Sequence, residues 1–122
     1  MESLKKSKEF NLIYNHGTKI YTKYTIIFIH NNIGSKFGVV ASKKIGNAVK
    51  RNRIKRIFRQ IIRNNPNFFS IQNKAYVIIA NKNCKEDFEN LNYFVLENDI
   101  LKGVKKYEKN INISNKNVSK TN

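Results

Sequence analysis

Acid is what this chain of 122 residues has least of: eight Asp and Glu stand against 24 Lys and Arg, a formal net charge of +16. The shortage is also local. No Asp or Glu occurs between Glu9 and Glu86, and the acids then cluster at Glu86, Asp87, Glu89, Glu97 and Asp99. A merely soluble surface mixes both signs, and a charge this lopsided works against a small fold by self-repulsion. It reads as a match to a polyanion, with nucleic acid the first candidate and an anionic membrane surface the second. Cys84 is the only cysteine, which excludes an internal disulfide and a thiolate zinc site. No apolar run approaches the roughly 20 residues of a membrane span. The start, Met1 to Lys6, lacks the apolar stretch of a secretion signal, so a cytoplasmic location is expected. His16 and His30 stand far apart without acidic partners and argue neither a metal site nor an acid–base pair. Ser42-Lys43 has the residue types of a nucleophile and its base, but nothing in the sequence supplies an oxyanion hole.

What remains suits one domain with one core: 40% of the residues are hydrophobic. Ser7 is a candidate cap for a short helix bearing Phe10, Ile13 and Tyr14 on one face, ended by Gly17. Ile20 to His30 is rich in β-branched and aromatic residues and reads as a strand, long enough to break in two. Asn31 to Ser35 is a turn, Phe37 to Ser42 a second strand, and Lys43 to Gly46 a loop. Asn47 is a plausible N-cap for a helix from Ala48 to Asn64, which Pro66, the only proline, forbids to continue. Ala75 to Ala80 is continuously apolar, the pattern of a strand buried on both faces. Glu86 to about Lys102 predicts a last helix, with acids at its start and Phe88, Leu91, Val95 and Leu101 toward the sheet. Residues 110–122 carry little apolar surface and read as a flexible tail behind a domain of residues 1–109. The sum is a small α/β sandwich: one sheet with helices packed on it.

The helix from Ala48 to Asn64 carries the strongest signal. Ile54, Ile57, Phe58, Ile61 and Ile62 recur at i, i+3, i+4, i+7 and i+8 and define its core face. Arg51, Asn52, Lys55, Arg56, Arg59 and Arg63 line the other side, flanked by Lys50 and Arg53. Like charges at i,i+4 cost a helix some tenths of a kcal/mol per pair, and no acid relieves them here. A solvated charged face is the bland explanation of most charge runs. A single sign, with Lys43 and Lys44 leading in, fits phosphate contacts better: arginine forks grip phosphates bidentately, and Asn52 suits a base edge or a sugar hydroxyl.

The run Ser42-Lys43-Lys44-Ile45-Gly46-Asn47-Ala48-Val49-Lys50-Arg51-Asn52-Arg53-Ile54-Lys55-Arg56 resembles the signature of the protein subunit of bacterial ribonuclease P. That family is marked by an Arg-Asn-Arg helix behind Lys-Lys-x-Gly-Asn-Ala-Val. The resemblance extends through Leu4-Lys5-Lys6, Glu9-Phe10 and His16-Gly17 upstream and Arg59 downstream, covering about residues 4 to 102. It implies an α-β-β-β-α-β-α sandwich with a left-handed βαβ crossover, against the usual right-handed rule. It also implies that catalysis belongs to the RNA subunit, which uses Mg²⁺ to cleave the 5′ leader from precursor tRNA. The protein's partners would then be ribonuclease P RNA and precursor tRNA, with no catalytic residue and no metal of its own.

Carried over residue by residue, the signature implies that Lys43, Lys44, Asn47, Lys50, Arg51, Asn52, Arg53, Lys55, Arg56 and Arg59 face the catalytic RNA. The family's leader-binding aromatics fall on Phe10 and Phe28, and on Tyr14, where Phe is more usual. Lys36 fills a basic position two before Gly38 where Arg is commoner. On spacing alone Phe10, Tyr14 and Phe28 read as core. Phe37, Phe58, Phe68, Phe69 and Phe88 read as core or loop packing, and Cys84 as an inert, half-buried thiol. A ribosomal or DNA-binding protein would share the charge without the signature run. A membrane-surface helix would lay its stripe in lipid, whereas here strands on both sides of the helix offer a sheet to cover it.

Overall fold

The apolar run Ala75 to Ala80 occupies the middle of a sheet, where no polar face is needed. The structure, a computed structural model, describes residues 2–31, 33–69 and 73–121, with side chains through Lys109. Its elements are β1 (Glu2–Ser3), α1 (Ser7–His16), β2 (Thr18–Tyr21), β3 (Thr25–Asn31), β4 (Lys36–Val40), α2 (Ala48–Asn64), α3 (Pro66–Phe69), β5 (Lys74–Ala80), α4 (Asn83–Glu86) and α5 (Tyr93–Thr121). The strands form one five-stranded sheet in the order β1-β4-β5-β3-β2. β5 pairs parallel with β4 and antiparallel with β3, so both its edges are used. The connection β4–α2–β5 joins two parallel neighbours and is the crossover of the fold.

Alternation along the strands sorts the core into two faces. Ile27 and Ile29 of β3 and Tyr76 and Ile78 of β5 point toward α2 and α5, where Ile54, Phe58, Ile61, Leu96, Ile100 and Val104 cover them. Phe28, Ala75 and Val77 point the other way, toward Ile13 of α1 and Leu4. Each fully buried aliphatic or Phe side chain contributes roughly 1.5–3 kcal/mol, so the four buried residues of α2 alone hold that helix firmly. The stripe foreseen for α2 is thus its core face, with Ile57 half-buried at its margin. Asn47 caps the helix, its Oδ1 accepting from the Lys50 amide at 3.0 Å.

Other elements depart from expectation. Ser7 is inside α1 rather than capping it; Lys6 holds the cap position without a side-chain bond. The long strand does break, at Thr22–Tyr24, into β2 and β3. The loop at Lys43 is one 3-10 turn, Lys43–Ile45. The segment from Glu86 is not the start of the last helix: α4 and a 3-10 turn at Phe88–Asn90 precede it, and Asn92 caps α5 by accepting from the Val95 amide at 3.0 Å. The stripe of α5 is accordingly Leu96, Ile100 and Val104, while Val95 is exposed. The backbone of α5 continues through 110–121, whose side chains lie outside the described ones.

The acids of the second half act as tethers. Asp99 accepts from Thr22 Oγ1 at 2.6 Å, the Lys23 amide at 3.0 Å and the Tyr24 amide at 2.9 Å, so α5 clamps the β2–β3 turn. Asp87 accepts from the Tyr24 hydroxyl at 3.0 Å, and Glu97 accepts from Asn65 and Tyr93. Cys84 is fully rather than half buried; its thiol donates to the Tyr24 carbonyl, and burial pushes its pKa up to about 12. Since the thiolate is the reactive form, a disulfide reagent at about pH 8 should leave native protein untouched and label one thiol in denaturant. Labelling of the native chain at the rate of a free thiol would contradict this burial.

Candidate nucleic-acid interface

The 3-10 turn and α2 bring together ten cations and amides foreseen for RNA. Lys43, Lys44, Asn47, Lys50, Asn52, Arg53, Arg56 and Arg59 are exposed, and Arg51 and Lys55 are half-buried. Gly46, φ +155°, lets the chain turn between the two pieces; a Cβ there would also lie 3.0 Å from the Lys50 side chain. Asn47 engages its side-chain oxygen in the cap, while its amide NH₂ is left to donate to a partner. Arg51 is different: its Nε is shielded from water and has no partner among the described residues. A buried donor left unmade costs about 1–3 kcal/mol, so an arriving oxygen acceptor would be well placed to relieve it. Within the described residues the single ion pair is Lys36–Glu9, away from this helix, so no carboxylate neutralises its cations.

Phe88, half-buried and packed against the core as its spacing suggested, also reaches this face. The Lys50 Nζ lies 5.0 Å from its ring centroid and the Arg53 guanidinium carbon 5.6 Å. Stacking on a ring orders an arginine while leaving the edges of its fork free to donate. Only tertiary structure puts Phe88 there; no local pattern in the sequence points to it.

The aromatic residues of the second candidate site gather on the α1 face of the sheet. Tyr14 stands between Phe10 and Phe28, with ring centroids 6.2 Å and 5.1 Å away. Their exposure differs: Tyr14 is 37% exposed, Phe10 half-buried, and Phe28 only 9% exposed. Phe10 packs closely on Gly38, where a Cβ would come within 2.6 Å of its ring; this close approach requires glycine. Lys36 is not a free cation, for its Nζ bonds Glu9 at 2.7 Å. That bond holds the Glu9 carboxyl pKa down and the Lys36 pKa up. Two further residues extend the row. β2 pairs with β3 so that Lys19 is opposite Phe28 and Tyr21 opposite Ile26. Lys19 Nζ sits 5.6 Å from the Phe28 ring and 5.1 Å from that of Tyr21, which is 68% exposed. The alternation Lys19-x-Tyr21 was the available signal, hidden because the strand was expected to begin only at Ile20.

Among the described residues no group of three or more His, Cys, Asp or Glu is placed to hold a metal ion, and no helix is long and apolar enough to cross a membrane. Fold and site together define a single-domain α+β protein with one uncompensated cationic helix and, across the sheet, a row of aromatics. A family model described as Ribonuclease P matches residues 1–108. The chain is 45% identical over 102 residues to the ribonuclease P protein component of Fusobacterium nucleatum, covering 82% of this chain and 91% of that one. It is 33% identical to that of Petrotoga mobilis, covering 88% and 92%. The structure is similar to that of the RNase P protein from Thermotoga maritima, with a TM-score of 0.78 at 28% identity, covering 87% of this chain and 97% of that one. The Staphylococcus aureus RNase P protein gives a TM-score of 0.75 at 26% identity, covering 88% and 95%. The chain therefore belongs to the ribonuclease P protein family, the protein components of a tRNA-processing ribonuclease.

Proposed function

We propose that this protein binds the catalytic RNA of ribonuclease P through α2 and the 5′ leader of precursor tRNA through the α1 face, assisting endonucleolytic removal of the leader. The observation that carries the reading is the α2 face itself: cations without a carboxylate among them, and an Arg51 donor that lacks an acceptor among the described residues. Phosphate oxygens match both. The RNA subunit, with Mg²⁺, would perform the cleavage in the cytoplasm, and this chain would position its substrate. Reconstitution with a ribonuclease P RNA and a precursor tRNA at low Mg²⁺ tests this: the protein alone should cleave nothing and should raise cleavage by the RNA. Nuclease activity of the pure protein, abolished by a point change in it, would overturn the assignment.

For the leader, Tyr14, Phe10 and Phe28 would offer faces to unpaired bases, with Lys36 and Lys19 beside them. Tyr14 is the most accessible of the three rings, so it gives the cleanest test. Tyr14→Ala should weaken binding of precursor tRNA by the holoenzyme by about 1–3 kcal/mol, the value of one stacked base, and spare mature tRNA. Equal losses for both would return the row to a packing role. Residues 1–109 constitute the RNA-binding domain in this reading and 110–122 a tail. A chain cut after Lys109 is expected to keep its affinity for the RNA in a filter-binding titration.

A further inference from the structure

Phe94 is 76% exposed, the largest apolar side chain to be so open among the described residues. It is not alone. It borders an open recess of about 470 Å³ between the start of α5 and the β2–β3 turn, walled also by Lys23, Tyr24, Val95, Asn98 and Lys102. Neither the signature helix nor the α1 aromatics include any of these residues. Phe94 is held from one side, its ring edge-on to Tyr93 with centroids 5.5 Å apart at 86°. The Lys23 Nζ lies 5.3 Å from the Tyr24 ring.

One carboxylate, Asp99, lines the recess against two lysines, and both of its oxygens are turned onto the β2–β3 turn, from which it accepts three hydrogen bonds. Asp87 accepts from Tyr24, and Glu97 from Tyr93 and Asn65. What faces outward is two ammonium groups, an amide and aromatic surface. Aromatic faces flanked by cations are the means by which proteins hold unpaired nucleotides: the ring stacks the base and the cations meet the flanking phosphates. A side-chain amide beside them suits a base edge. The recess lies along α5, on the same side of the sheet as the cationic helix. α5 packs beside α2 on one side of the sheet, and Asn64 of α2 donates to the Tyr93 hydroxyl at 2.9 Å. The α1 aromatics lie on the opposite side.

We infer that this recess is a second contact for the catalytic RNA, in which one unpaired nucleotide stacks on Phe94 while Lys23 and Lys102 bind its phosphates. The inference rests on the proposed role of α2, since its place on the same side of the sheet as that helix is what selects the catalytic RNA over the leader.

The test uses the full chain and an in-vitro-transcribed bacterial ribonuclease P RNA. Affinity is measured by filter binding at fixed salt, and nucleotide mobility by 2′-hydroxyl acylation. Phe94→Ala should weaken binding about tenfold, the loss of one stacked base, and should restore reactivity to one unpaired nucleotide that the unaltered protein protects. Phe94→Tyr should bind and protect as the unaltered protein does, and the thermal melt of both variants should be unchanged because the ring is exposed. Unaltered affinity and protection in Phe94→Ala, with Arg53→Ala still weakening binding, would overturn the recess and leave the α2 reading standing. If Arg53→Ala also has no effect, both fall. Sedimentation supplies the remaining alternative: loss of self-association in Phe94→Ala without any change in RNA binding would make this face a contact between copies of the chain.

Discussion

Arg53, Arg56 and Arg59 changed together to Ala should lower affinity for ribonuclease P RNA about a hundredfold near 0.15 M salt and flatten its salt dependence by about two units of log–log slope. Each lost phosphate contact removes about 0.7–0.9 of a unit. The three side chains are exposed, at i, i+3 and i+6 of α2, so their truncation opens no cavity. The free protein should respond in the opposite sense. Alanine is the best helix former, and three like-charge pairs at i,i+3 and two at i,i+4 disappear, so the variant should be about 1 kcal/mol more stable than the parent. A paired salt titration and thermal melt read both quantities. An unchanged slope would mean that the helix does not meet the phosphates. A lower melting temperature would mean that these arginines serve the fold.

Anions should stabilise the RNA-free protein strongly and selectively. Ten cations stand between Lys36 and Arg63 without an acid among them, and only Lys36 finds a carboxylate partner among the described residues. An anion seated on the α2 face binds the folded state alone. At a hundredfold its dissociation constant it contributes about 2.7 kcal/mol. For a domain of this size that is a shift of about 10 °C in melting temperature. General screening would make chloride and sulfate equivalent at matched ionic strength, whereas a seated anion makes sulfate the stronger. Coincident melts in the two salts would show that the face is not preorganised before RNA arrives.

The parts of this molecule legible in its sequence are those set by local pattern. The cap at Asn47, the stripe of α2 and its cations can all be read within one helix. So can β5, because a strand buried on both faces needs nothing but apolar residues. The break at Thr22–Tyr24 was open because that turn has neither Gly nor Pro; a carboxylate 75 to 77 residues away completes it. The start of α5 was misplaced for a related reason. Glu86, Asp87 and Glu89 look like acids drawn to a helix N-terminus, yet Asp87 bonds a tyrosine and Asn92 makes the cap. At the site, charge and signature were visible, but orientation was not. Phe88 under Lys50 and Arg53, Lys36 held by Glu9, and the burial of Phe28 beside the open ring of Tyr14 are contacts between elements. Phe94 was silent because an exposed aromatic on a helix looks, in sequence, like any other.

The Asp99 clamp also bears on how the chain is made. Synthesis runs from the N-terminus, and α2 leaves the ribosome before β5 and α5, which cover its apolar stripe, have emerged. The β2–β3 turn is still older and lacks its acceptor until residue 99 appears. The nascent chain thus presents a bare amphipathic cationic helix while six of its eight acids have yet to emerge. Ribosomal RNA is the nearest polyanion at that moment. Closure of the turn by Asp99, and with it the docking of α5 over the same core, therefore waits on a residue made long after the helix it helps to cover, and until then the cationic helix has no finished core to pack on.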